Sequence, residues 1–111
     1  MIKDNSIYLK HILDAISKIE NYTKTVEYKD FFKNSLIQDG VIREIEIIGE
    51  ASKKLSDEFR ERHQKVPWKD ITGMRDKLTH DYFGVDIDAV WETVKKDIPF
   101  LKQFVTDILK K

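Results

Sequence analysis

Apolar residues recur at helical spacing along almost the whole chain. Leu9, Ile12, Ile16 and Ile19 step by three, four and three; Tyr22 extends the stripe, while Lys10, Asp14 and Lys18 fall off it. One apolar face and one charged face predict an amphipathic helix over about 4–24. The polar and β-branched run 21–25 predicts a connection. A second helical region follows over about 28–62. Phe31, Phe32, Leu36 and Ile37 open it, and Val41, Ile45, Ile48, Ser52, Leu55 and Phe59 continue it in steps of four and three. Gly40 marks a kink or a close helix contact within that region. The small residues Gly49, Ala51 and Ser52 leave room for a neighbouring helix.

The run 63–67 breaks the pattern, because Pro67 biases Val66 away from helical backbone. A shorter helical segment is expected over 68–83, with Thr72 as the cap of a helix starting near Gly73 and Gly84 as its stop. Asp86 is a good N-cap for the last helix, and Asp88 favours the dipole in its first turn. Ile87, Trp91, Val94, Ile98, Leu101, Val105 and Ile108 then form the cleanest stripe in the chain. Pro99 lies inside that stripe and removes one backbone donor, so a kink is expected there. Lys110 and Lys111 suit a helix C-terminus. These features predict an all-α fold, a single domain over 1–111 built as a bundle of four or five helices.

Composition agrees. With 111 residues the chain has the length of one domain, and 41% hydrophobic residues can fill one modest core. Only 4 Gly and 2 Pro argue against a many-stranded β fold with its frequent tight turns. The absence of Cys excludes disulfides, thiolate metal sites and Cys nucleophiles. No leader-like N-terminus and no long apolar window appear, which predicts a cytoplasmic protein without a membrane partner.

Twenty basic residues balance twenty acidic ones, so the total charge gives no nucleic-acid signal. The distribution along the chain does. Residues 1–59 carry −2, residues 60–80 carry +3 and residues 81–111 carry −1. The basic stretch holds Arg60, Arg62, Lys65, Lys69, Arg75 and Lys77, with His63 inside it and His80 at its end. A local patch of this kind is what phosphate binding needs.

Inside that stretch, Arg75, Asp76, His80 and Tyr82 form a set suited to phosphate chemistry. Arg offers a permanent cation with a fork of donors, His exchanges a proton near neutral pH, and Tyr supplies a hydroxyl. On an ideal helix Arg75 and His80 stand about 140° apart. Asp76 and His80 share a face, so the carboxylate can hold one imidazole nitrogen and present the other. Arg75 and Tyr82, seven apart, nearly align. Metal binding has little support, because no two of His11, His63 and His80 stand four apart. No cofactor is expected. Glu44, Glu46 and Glu50 read as solvated helix positions. Trp68 and Trp91 read as core or interface residues.

Four blocks carry a resemblance. They are 11–16 with Ile19 and Glu20; 43–51, reading Arg-Glu-Ile-Glu-Ile-Ile-Gly-Glu-Ala; Val66-Pro67-Trp68; and 73–86, which holds Gly73, Arg75, His80, Tyr82, Gly84 and Asp86. In this order they resemble the HepT-like ribonuclease toxins of the HEPN superfamily, the partners of minimal nucleotidyltransferase antitoxins. The resemblance implies a helical homodimer whose Arg/His motifs meet in a cleft between protomers. It implies metal-independent RNA cleavage, with His80 as general base or acid on the ribose 2′-hydroxyl and Arg75 stabilising the phosphorane. It also implies that Tyr82 receives AMP from the partner nucleotidyltransferase, which silences the toxin. One position departs from the pattern. The residue after the Arg is often Asn in that family and is Asp76 here, a carboxylate that supports a charged His80 but repels RNA phosphate. The rival reading is a helical adaptor, weak or inactive in catalysis, that binds the nucleotidyltransferase.

Overall fold

The computed structural model describes residues 4–73 and 86–110, and among them every element is helical. Helix α1 runs Asn5–Thr23. Its N-cap is Asp4, whose carboxylate accepts the backbone N–H of Ser6 at 3.0 Å and its hydroxyl at 2.6 Å. Those two bonds hold the Asp4 carboxyl below the usual carboxylate range. Leu9, Ile12, Ile16 and Ile19 are buried as a stripe, as their spacing predicts.

The region 28–62 is three helices. Helix α2 spans Tyr28–Lys33, α3 spans Ser35–Lys54 and α4 spans Asp57–Arg62. The expected break at Gly40 is absent, since Gly40 lies within α3. The breaks fall at Asn34 and at 55–56, where side-chain caps start new helices. Asn34 accepts the N–H of Ile37 at 3.1 Å, and Ser56 accepts that of Phe59 at 3.1 Å. The Gln38 amide donates to the carbonyls of Phe31 and Phe32 at 2.8 and 2.9 Å, closing the end of α2. Gly40 does serve a close approach. A Cβ there would stand 3.1 Å from the ring of Tyr22 at the end of α1.

Helix α5 covers 68–73 within the described residues. It begins directly after Pro67, whose carbonyl accepts the N–H of Ile71 at 3.0 Å. Thr72 is therefore not a cap. It sits inside the helix, and its hydroxyl bonds back to the carbonyls of Trp68 and Lys69, both at 3.1 Å. The expected stop at Gly84 lies outside the described residues.

The last rod comprises α6 (Ile87–Glu92), a π-helical turn (Thr93–Asp97) and α7 (Ile98–Leu109). Asp86 caps it as expected, accepting the N–H of Ala89 at 3.1 Å. Pro99 does not kink a regular helix. It occupies the first turn of α7, and the irregularity lies just upstream in the wide turn, where the N–H of Ile98 reaches the carbonyl of Thr93. Counting α6 to α7 as one rod, the described residues hold six helices, more than the four or five expected. The surplus arises because 28–62 is cut twice by caps.

One contiguous core joins these elements. Leu9, Ile12, Ile16 and Ile19 of α1 meet Val41, Ile45 and Ile48 of α3, Val90 of α6 and Leu101 and Val105 of α7. Phe31, Leu55, Phe59, Val66 and Trp68 carry it under α2, α4 and α5. No helix among the described residues is long and apolar enough to cross a membrane.

Candidate functional site

Arg75, Asp76, His80 and Tyr82 lie outside the described residues, whereas both flanks of their segment are built into the fold. On the near side, Val66 and Trp68 are buried. The Trp68 indole N–H donates to the carbonyl of His63 at 3.1 Å, and its ring packs against Phe59 and Phe104. This contact fixes α5 against α4 and α7. On the far side, the Asp86 cap starts α6, and Asp88 in its first turn accepts the hydroxyl of Tyr28. That bond, with the nearby charges of Asp88 and Asp86, raises the Tyr28 phenol above its ordinary value. Tyr28 and Phe31 stack around Trp91, with the Lys95 ammonium 4.5 Å over the indole. Both tryptophans are thus packing residues, as expected.

The basic stretch is less exposed as charge than its sequence suggests. Arg60 pairs with Asp57 at 2.6 Å and Arg62 with Glu58 at 2.9 Å. Those carboxylates sit just upstream of residue 60, and counting them brings the net charge over 57–80 to +1. His63 is packed between Phe59 and Phe104, with ring centroids 4.5 and 5.4 Å away. Lys65 and Lys69 remain exposed at the approach to the segment.

Among the described residues, two concavities bear on the site. An apolar cavity of about 120 Å³ lies between α3, α5 and the start of α7, walled by Ile45, Ile48, Ile71, Ile98 and Leu101. Asp70 and Asp97 stand at its edge. Burial against this wall pushes the Asp97 carboxyl up; the charges of Asp70 and Glu92 add to the shift, and Lys96 opposes it. A larger polar groove of about 340 Å³ runs between α1 and α3, lined by Tyr8, His11, Arg43, Glu46, Glu50 and Lys54. The edge of one ring faces the other at 6.3 Å between Tyr8 and His11. This groove brings together the blocks 11–20 and 43–51, which stand far apart in the sequence.

Sequence reasoning misjudged one member of the second block. Glu44 is buried rather than solvated, because its position falls on the core side of α3 with Val41, Ile45 and Ile48. Helical spacing held that signal: 41, 44, 45 and 48 share a face. Among the described residues, no three His, Asp or Glu side chains gather as a metal site would require.

Comparison with known proteins gives a consistent picture. The family model described as Ribonuclease HepT-like matches residues 12–108, which takes in the whole candidate segment. A Methanocaldococcus jannaschii protein named "Gamma-glutamylcyclotransferase and putative RNase" is 54% identical over 110 residues, covering 99% of this chain and 50% of that protein. A "Putative RNase" of Caldanaerobacter subterraneus subsp. tengcongensis is 49% identical over 104 residues, covering 94% of this chain and 93% of its own. The "Probable ribonuclease HepT" of Thermococcus cleftensis is 46% identical over 102 residues, covering 92% and 93%. The chain thus spans about half the length of the first relative and nearly all of the other two. No solved structure matches it.

Proposed function

The chain belongs to the HepT-like ribonuclease family, and from that premise we propose that it is a metal-independent endoribonuclease toxin restrained by a minimal nucleotidyltransferase antitoxin. The observation that carries this reading is the family match across 12–108, because it includes Arg75, His80 and Tyr82 at the spacing the chemistry uses. In this reading the ribose 2′-oxygen attacks the adjacent phosphorus while His80 handles its proton as general base or acid. The P–O5′ bond breaks, the O5′ leaving group takes up a proton, and a cyclic phosphate end results. Arg75 offsets the charge that builds on the phosphorane oxygens. Asp76 positions His80 and favours its charged form. A homodimer brings two such sets to one cleft, which removes the constraint that Arg75 and His80 diverge on one helix. AMP added to Tyr82 by the antitoxin places bulk and negative charge beside His80 and blocks RNA.

The test is cleavage of RNA by the purified protein in EDTA. His80→Ala and Arg75→Ala should each lower the rate about 100-fold or more. Equal cleavage by wild type and His80→Ala would sink the catalytic reading. Incubation with the antitoxin and ATP should add AMP mass to the wild type and not to Tyr82→Phe.

One observation favours the adaptor reading. The Arg60–Asp57 and Arg62–Glu58 pairs reduce the positive field around the segment. An adaptor would bind the nucleotidyltransferase and leave RNA intact under every condition in which the catalytic reading demands cleavage.

A further inference from the structure

Helices α3, α5 and the start of α7 do not close fully on one another. They leave the apolar cavity of about 120 Å³ walled by Ile45, Ile48, Ile71, Ile98 and Leu101. A void of this kind costs stability, because its lining lacks contact atoms on one side. An apolar cavity of about 150 Å³ stays dry and accepts benzene, so this one has room for a single ring or a branched chain of about four or five carbons.

The charged residues that line it are all of one sign. Asp70, from α5, and Asp97, from the wide turn before α7, both reach it, and both are exposed. Among the described residues, neither carboxylate forms an ion pair or accepts a hydrogen bond. The adjoining lysines do not neutralise them. Lys96 pairs with Glu92 at 2.7 Å, and Lys69 forms no ion pair among the described residues. After burial, the charge of Asp70 is the strongest influence against ionisation of Asp97. The exposed Phe100 also lines the cavity and adds an aromatic ring that a cation can contact.

These features select one kind of guest. A neutral hydrocarbon fills the void but leaves two carboxylates opposed. An anion is repelled. A metal ion needs more ligands, and no three His, Asp or Glu gather among the described residues. A primary ammonium on a short hydrocarbon satisfies both parts. Its three N–H donors can serve two carboxylates at once, and its apolar body restores the contacts the wall lacks.

We propose that the cavity between α3, α5 and α7 binds a small amphipathic amine, its hydrocarbon part among Ile45, Ile48 and Leu101 and its ammonium between Asp70 and Asp97. The site goes beyond the RNA chemistry proposed above and stands or falls without it.

The probe is benzylammonium, titrated at neutral pH into the ¹⁵N-labelled full chain and followed through its backbone amide signals. Saturable shifts are expected at 45, 48, 70–71 and 97–101. Benzyl alcohol, neutral and of the same shape, should bind about fivefold more weakly, and benzoate should not bind. Asp70→Asn and Asp97→Asn should each weaken benzylammonium about threefold to fivefold. Both should leave benzyl alcohol unaffected, which separates a lost charge from an altered fold. Equal binding of amine and alcohol, or Asn variants that bind the amine like wild type, would overturn the proposal by making the cavity a neutral void. Shifts that never saturate, or that stay confined to the carboxylates' own surroundings, would show surface ion pairing only and overturn it as well. Shifts at the same amides that follow protein concentration alone would assign the cavity to a second copy. A titration without shifts would mean that it admits no guest, and either result sinks the idea.

Discussion

Ser52 lies fully buried on the core face of α3, and its hydroxyl has no hydrogen-bond partner among the described residues. An unsatisfied buried hydroxyl costs stability, and Ala fills nearly the same space. Ser52→Ala should therefore raise unfolding stability by about 1 kcal/mol, measured by urea denaturation. Asp97 makes a second case, with a pH signature. Its carboxyl stands above the ordinary carboxylate value because burial, Asp70 and Glu92 all disfavour the charge. The folded state then holds a proton that the unfolded chain releases, so this group lowers stability as pH rises through its folded value. Asp97→Asn should raise the melting temperature at neutral pH and flatten its decline from the ordinary carboxylate range upward. An unchanged pH profile would show that the cavity wall does not govern this carboxyl. Neither effect was legible in the sequence. The stripe through Ser52 predicts its place on the packed face of the helix, but its lack of a partner depends on neighbours brought in from other elements. Asp97 owes its shift first to burial and then to Asp70, which lies 27 positions away along the chain.

At the scale of elements, apolar spacing identified α1 and the last rod with nearly correct ends, because one uninterrupted stripe per helix determines them. It failed over 28–62, where a single stripe runs through three helices. Caps rather than periodicity decide the cuts there: Asn34 and Ser56 each offer a side-chain oxygen to the N–H three residues on. Asn34→Ala should cost about 1 kcal/mol. Gln38→Ala should cost a similar amount, about 1 kcal/mol, by freeing two carbonyls at the end of α2. Both are measurable by chemical denaturation. Of the two roles its position suggests, a kink or a close helix contact, Gly40 serves the contact. Gly40→Ala gains about 1 kcal/mol of helix propensity, offset by the shift that a Cβ imposes on the exposed Tyr22 ring. Because that ring sits at a helix end and can move, a small net gain in melting temperature is expected.

Across the whole molecule, balanced charge conceals local structure twice over. The positive stretch read from the sequence is moderated by carboxylates from the turn before it, which a count starting at residue 60 misses. RNA binding should therefore be modest and fall steeply with salt, testable by titration at two ionic strengths. The candidate residues themselves were legible as a motif, and Val66, Trp68 and Asp86 were legible as its frame. The α1–α3 groove was not, because it joins Tyr8 and His11 to residues 43–54, which only the packing of the two helices brings together. The wide turn at Thr93–Asp97 has a consequence for how this chain tolerates changes in length. A π turn holds one residue more than the α turn that would replace it. Deleting a single residue there can be absorbed by tightening the backbone, with the apolar faces before and after it still aimed at the core. The same deletion between Leu101 and Val105 would rotate everything beyond it by about 100° and turn the end of α7 out of the core. Residues 93–97 are thus the natural expansion joint of the last rod.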